Sequence, residues 1–158
     1  MSKSVKRVLQ SAADLKLPVE IVQTETSTRT ALDAANYVGC EVNQIGKSIL
    51  IAGAETGQLH LFLTPGARQV DLSKAAHLMN EPTVKADAAQ VRSVTGFAIG
   101  GVSPIGHLTQ IPIWVCSEIL AFETIWVAAG TPHHLFEVEP GLLAQKIAAK
   151  PSDFLQQI

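Results

Sequence analysis

Two strongly apolar runs, KSILIAG at 47–53 and QLHLFLT at 58–64, are separated by the four residues AETG, whose glycine and polar side chains suit a tight hairpin connection. An isolated two-stranded hairpin is marginal in water, so this pair commits the rest of the chain to covering and extending it. Val5, Val8, Leu9, Ala12, Ala13 and Leu15 recur at helical spacing from residue 3 to about 16, and Pro18 forbids continuation. VEIVQ at 19–23 reads as a short strand. ALDAANYV reads as a helix capped by Thr28 or Thr30 and ended by Gly39, and DLSKAAHLMN at 71–80 as a helix opened by an aspartate cap.

A weaker helical stretch over 86–92 leads into a glycine-rich loop. IPIWVCS and TIWVAAG then read as buried strands flanking a short helical turn around SEILAF, HLFEVEP adds a strand, and GLLAQKIAAK closes as a helix. Strands and helices are interspersed without strict βαβ regularity. The expected fold is therefore α+β: one compact domain over residues 1–158, with a mixed, mainly antiparallel sheet curled towards a barrel and helices around it.

Composition narrows the function. A hydrophobic fraction of 47% with 16% charged residues describes an ordinary globular chain with an aliphatic core. The formal net charge of −2 leaves no global basic field, so any nucleic-acid contact must be local, and DNA binding is not expected. Cys40 and Cys116 lie far apart in apolar surroundings and read as inert buried thiols. The N-terminal stretch lacks the apolar core of a signal peptide, and no run reaches the length of a membrane span. A reducing, cytoplasmic setting without membrane contact is expected.

The loop TGFAIGGVSPIGH at 95–107 holds four glycines and a proline in thirteen positions. Glycine loses much conformational freedom on folding, so such clustering predicts backbone that must approach something closely. Lys47, at the start of an apolar strand, would place an ammonium at the mouth of the sheet. Ser103 and His107 share the loop, but no G-x-S-x-G elbow supports a serine hydrolase. No G-x-x-x-x-G-K-[ST] occurs, and GFAIGG does not open a helix within a βαβ unit, so phosphate-loop chemistry is unsupported. His133 and His134 are adjacent in a strand and point to opposite faces, one outward and one packed. No histidine or cysteine pair has zinc-site spacing, and neither metal nor cofactor is expected.

QIGKSILI at 44–51, LTPGARQVDLSKAAHLM at 63–79, TGFAIGGVSPIGH at 95–107 and AFETIWVAAG at 121–130 resemble the successive signatures of the YbaK/ProX family. These are aminoacyl-tRNA deacylase, or trans-editing, domains related to the insertion domain of bacterial prolyl-tRNA synthetase. The resemblance implies hydrolysis of the ester joining a small mischarged amino acid to the acceptor end of tRNA. It implies a catalytic set of Lys47, Gly100, Gly101, Ser103 and Pro104, the lysine binding substrate electrostatically and the Gly100–Pro104 backbone lying against the ester. Thr30, Ser48, Val102, Gly106, His107 and Gly130 are expected around the substrate. It leaves room for an aminoacyl-tRNA synthetase as a second partner. Such an ester is already activated, so oriented water and a stabilised oxyanion suffice without a catalytic triad.

The chain departs from the family in places. His107, Leu108, Thr109 and Gln110 follow the loop where relatives often carry basic residues, and Ala128–Pro132 replaces a basic, glycine-rich turn. Cys116 falls where an aspartate is common. These changes weaken an inference of cysteinyl specificity and of strong independent tRNA affinity. The rival expectation is a non-catalytic module of the same fold that binds a tRNA end, a small ligand or a synthetase.

Overall fold

The computed structural model describes residues 2–158. Its helices are α1 (Lys3–Asp14), α2 (Ala31–Val38), α3 (Leu72–Met79), α4 (Ala88–Thr95), α5 (Ser117–Leu120) and α6 (Pro140–Lys146). Its strands are β1 (Ile21–Gln23), β2 (Gly46–Gly53), β3 (Leu59–Pro65), β4 (Thr83–Lys85), β5 (Ile113–Val115), β6 (Ile125–Ala128), β7 (His134–Val138) and β8 (Lys150–Pro151).

The hairpin expected from the two apolar runs is the centre of the molecule. β2 and β3 pair antiparallel from Gly46 opposite Pro65 to Ala52 opposite Leu59, and every residue of β3 is buried. Neighbours supply the burial that a lone hairpin lacks. β4 extends the free edge of β2 antiparallel, β5 runs parallel to β3, and β8 parallel to β5, giving the order β4-β2-β3-β5-β8. A second, antiparallel sheet has the order β1-β7-β6, and a bridge between Ile45 and Trp126 joins the two. The α+β class and the mixed, mainly antiparallel pairing expected from the sequence are thus present, with the strands shared between two sheets.

Side chains of high volume lock the larger sheet. Phe62 on β3 stacks near Trp114 on β5, with centroids 6.3 Å apart, and meets Phe154 edge-on at 5.1 Å. Phe97 and Phe136 are fully buried as well, and the rest of the core is mainly aliphatic, as the composition implies.

Two ends differ from the periodicity. The closing helix stops at Lys146 instead of running to Lys150, because Ala148 turns at φ 53° and releases Lys150–Pro151 to pair beside β5. The first helix stops at Asp14, and Lys16, at φ 55°, redirects the chain before Pro18. α4, in contrast, continues to Thr95, capped by the Asp87 carboxylate accepting from Ala89 N. The glycine-rich loop therefore leaves α4 directly and crosses towards the β6–β7 turn. Among the described residues no helix is long and apolar enough to cross a membrane.

Candidate functional site

The start of β2 and the loop after α4 line one cavity of about 370 Å³. β2 contributes Lys47 and Ser48, the loop contributes Ile99, Gly100 and Val102, and the segment entering α2 contributes Thr28, Arg29 and Thr30. Lys85 ends β4 at the rim, while Ile45, Ile49, Ala34, Val91 and Leu135 make the lining aliphatic. Arg29, Lys47 and Lys85 line this cavity and no Asp or Glu does, so its field favours an anion.

Lys47 is half-buried. Its Nζ donates to the Arg68 carbonyl at 2.8 Å, and burial lowers its pKa below the ordinary lysine value. The ion pairs among the described residues are Arg68 with Glu118 and Lys74 with Asp153, so Lys47 keeps donor capacity for a ligand. The carbonyl that receives it sits on a fixed segment, because the Arg68 guanidinium is held by Glu118 and donates to the Gln156 carbonyl at 2.7 Å. Beside it, the Ser48 Oγ is buried without a hydrogen-bond partner among the described residues. Buried hydroxyls normally find one, so this atom carries an unmet demand at the edge of the cavity.

The loop reaches the cavity at Ile99, Gly100 and Val102. Gly100 takes φ 93°, a left-handed conformation suited to glycine, and a Cβ there would press on the Arg29 stem at 3.2 Å. At Gly101 a Cβ would fall 2.7 Å from the Thr131 Cα, so this glycine permits the loop to lie directly on the β6–β7 turn. The Gly101 N–H donates to the Ala98 carbonyl at 3.0 Å, whereas the N–H groups of Gly100 and Val102 find no acceptor among the described residues. Val102 is buried, and buried backbone donors are rarely left unpaired.

Beyond Val102 the chain leaves the cavity. Ser103 is fully buried, its Oγ accepting from Ile105 N at 3.2 Å. Pro104, Gly106 and His107 line a separate cavity of about 570 Å³ with residues from α1 and α6. Gly130 packs on the Ser4 carbonyl and on Phe97. The structure thus gathers Thr30, Lys47, Ser48, Gly100 and Val102, sets Gly101 behind them, and places Ser103, Pro104, Gly106, His107 and Gly130 outside that cavity. His107 Nε2 lies 2.7 Å from the Ser103 carbonyl and not from its hydroxyl, so the two form no nucleophile–base pair.

The remaining candidates behave simply. His133 is exposed, while His134 is half-buried with Nδ1 2.6 Å from the Thr131 hydroxyl. Cys116 is buried as expected; Cys40 is only half-buried, because it stands just beyond the end of α2, and its Sγ donates to the Glu41 carbonyl at 3.3 Å. Burial raises both thiol pKa values, which keeps them protonated at neutral pH. Arg29 and Lys85 carry no signal in the sequence, since Arg29 sits in the aperiodic TETSTRT stretch and Lys85 on a strand of three residues without alternation.

Thr30 combines two positions. Its Oγ1 caps α2 by accepting from Asp33 N at 3.1 Å, and its residue lines the cavity. Thr30→Ala should lose about 1 kcal/mol of stability in urea unfolding, and Thr30→Asn, which retains a capping acceptor, should regain most of it. Equal stability of Thr30→Ala and wild type would remove the capping role.

A small aliphatic cavity with a cationic rim in an α+β domain suits a ligand that joins an apolar group to an anion. The family model described as the aminoacyl-tRNA editing domain matches residues 25–145, and the chain belongs to that family. It is 30% identical over 112 residues to a candidate Cys-tRNA(Pro)/Cys-tRNA(Cys) deacylase, EbsC, of Enterococcus faecalis, covering 70% of this chain and 68% of that protein. It is 28% identical over 136 residues to a proline–tRNA ligase of a Thermoanaerobacter species, covering 84% of this chain but 23% of the ligase. A solved structure described as a candidate trans-editing enzyme for prolyl tRNA synthetase superposes with a TM-score of 0.92 at 39% identity, with 99% of each chain covered.

Proposed function

We propose that this protein is an aminoacyl-tRNA deacylase that removes a small, wrongly attached amino acid from the acceptor end of tRNA. The observation that carries the reading is one small aliphatic cavity lined by Lys47 and by Gly100 and Val102, whose N–H groups have no acceptor among the described residues. Water adds to the ester carbonyl carbon, the negative charge gathers on the carbonyl oxygen, and the C–O bond to the ribose breaks. The products are the free amino acid and a tRNA hydroxyl. Backbone donors fixed before the reaction are suited to the developing oxyanion, and the Lys47 ammonium to the anionic acceptor end. Family membership and the likeness to EbsC support the ester as substrate, and the likeness to part of a proline–tRNA ligase supports a synthetase link.

The aliphatic lining selects by size, where one methylene is worth about 1–3 kcal/mol. An aminoacyl-tRNA substrate supports a cytoplasmic activity. Purified protein is incubated with tRNAs carrying alanine, serine, cysteine or proline. The expected result is selective ester loss from one or two of them; binding of every member with hydrolysis of none would favour the non-catalytic module.

Arg29 and Lys85 are assigned to the polyanion. Both are exposed and line the rim beside Lys47. The double variant Arg29→Ala/Lys85→Ala should weaken tRNA binding and flatten its log–log salt dependence by about 0.7 for each single-strand phosphate left without its cation, with little change in kcat. An unchanged salt slope would remove them from the tRNA path.

A further inference from the structure

The main-chain donors at Gly100 and Val102 are useful only if the loop carrying them is held still, and one side chain grips both of its ends. Arg7 on α1 donates through Nη2 to the Gly96 carbonyl at 2.8 Å and through Nε to the Gly106 carbonyl at 3.0 Å. Its guanidinium also lies 4.6 Å over the ring of Phe97. The two carbonyls bracket the segment 97–105, within which Gly100 and Val102 reach the cavity. The fit is close on both sides: a Cβ at Gly96 would collide with the Arg7 guanidinium, and one at Gly106 would lie 3.2 Å from the Arg7 carbonyl. α1 lies outside the 25–145 family match, so this grip comes from a part of the chain that the family pattern does not include.

We infer that Arg7 is a positioning residue, which fixes the glycine-rich loop so that its unpaired N–H groups point at the reacting carbonyl. Arginine suits this task because its planar fork presents donors in fixed directions to two acceptors at once. Lysine offers a point charge without that planar fork. α1 is thereby a brace of the site as well as a cover for the core, into which it buries Val5, Val8 and Ala12. The catalytic half of this inference rests on the deacylase reading; the brace itself does not.

The test compares full-length wild type with Arg7→Met, which keeps the aliphatic stem and removes the donors, and with Arg7→Lys. Amide hydrogen exchange and hydrolysis kinetics are measured on the same preparations. In Arg7→Met, exchange across 97–106 should quicken by about tenfold or more, as charge-assisted hydrogen bonds disappear. The β2–β3 amides should keep their protection. kcat should fall about 10- to 100-fold, the scale of a small misplacement of reacting groups, with KM nearly unchanged and Arg7→Lys intermediate. Unchanged loop exchange overturns the inference, as does quicker loop exchange with unchanged kcat. Loss of β2–β3 protection in step with the loop would make Arg7 a general stabiliser instead. If wild type hydrolyses no ester, the deacylase reading fails, while the loop exchange still decides whether Arg7 is the brace.

Discussion

Replacing Lys47 by methionine should reduce kcat/KM for deacylation by about 10- to 100-fold, the scale of losing one charge-assisted contact to an anionic substrate. The fold should tolerate it, with a melting temperature equal to or above that of wild type. Burial lowers the folded-state pKa of Lys47 below its unfolded value. Between those two values the unfolded chain binds more protons, so this lysine makes stability rise with pH through that window, and below it the buried ammonium opposes folding. Methionine fills similar space without that desolvation, although it gives up the hydrogen bond to the Arg68 carbonyl. The same shift predicts an alkaline limit to catalysis: the ammonium is lost as pH rises through the lowered pKa, earlier than for an exposed lysine. A variant kcat/KM near that of wild type would remove Lys47 from substrate binding. A collapse of the melting temperature would show the lysine to be structural.

Gly101→Val should damage both stability and rate. The added Cβ meets the Thr131 main chain, 2.7 Å from Cα and 2.8 Å from the carbonyl carbon, and main chain cannot rotate aside as a side-chain tip can. Either the loop lifts or the β6–β7 turn moves. Overpacking of this kind costs about 1–3 kcal/mol, which for a domain of this size lowers Tm by roughly 2–12 °C. Lifting the loop also moves the Gly100 and Val102 donors, so kcat should drop at least about tenfold. Gly101→Ala, with the smallest side chain, should show the same effects in weaker form. Wild-type melting and turnover in Gly101→Val would contradict the packing of loop on turn.

Much of this is legible in residue patterns, and the exceptions share a cause. The β2–β3 hairpin is evident because its apolar runs and short connection are local signals, and strand position alone puts Lys47 at its mouth. The cap of α2 is narrowed by sequence to Thr28 or Thr30, and the structure selects Thr30. The split of the glycine-rich loop between two cavities is not legible, since the direction of each residue depends on Thr131, Arg7 and Arg29, which are remote in sequence. The two central glycines of the loop differ in their surroundings: Gly100 lines the cavity, whereas the close neighbour of Gly101 is the protein's own turn. Arg29 and Lys85 give no local sign because a cationic rim arises from segments far apart in the chain. β8 is hidden because a helical pattern runs through it until Ala148 breaks the geometry.

The most direct test is an NMR titration of the full chain with a 3′-aminoacylamino-adenosine, whose amide replaces the hydrolysable ester. The amide resonances of Lys47, Ser48, Gly100 and Val102 should shift together and saturably, with smaller changes around Thr28–Thr30 and none centred on Pro104–His107. Shifts confined to the Pro104–His107 cavity, with Lys47 and Gly100 undisturbed, would contradict the placement of the aminoacyl end and with it the assigned role of the Lys47 cavity.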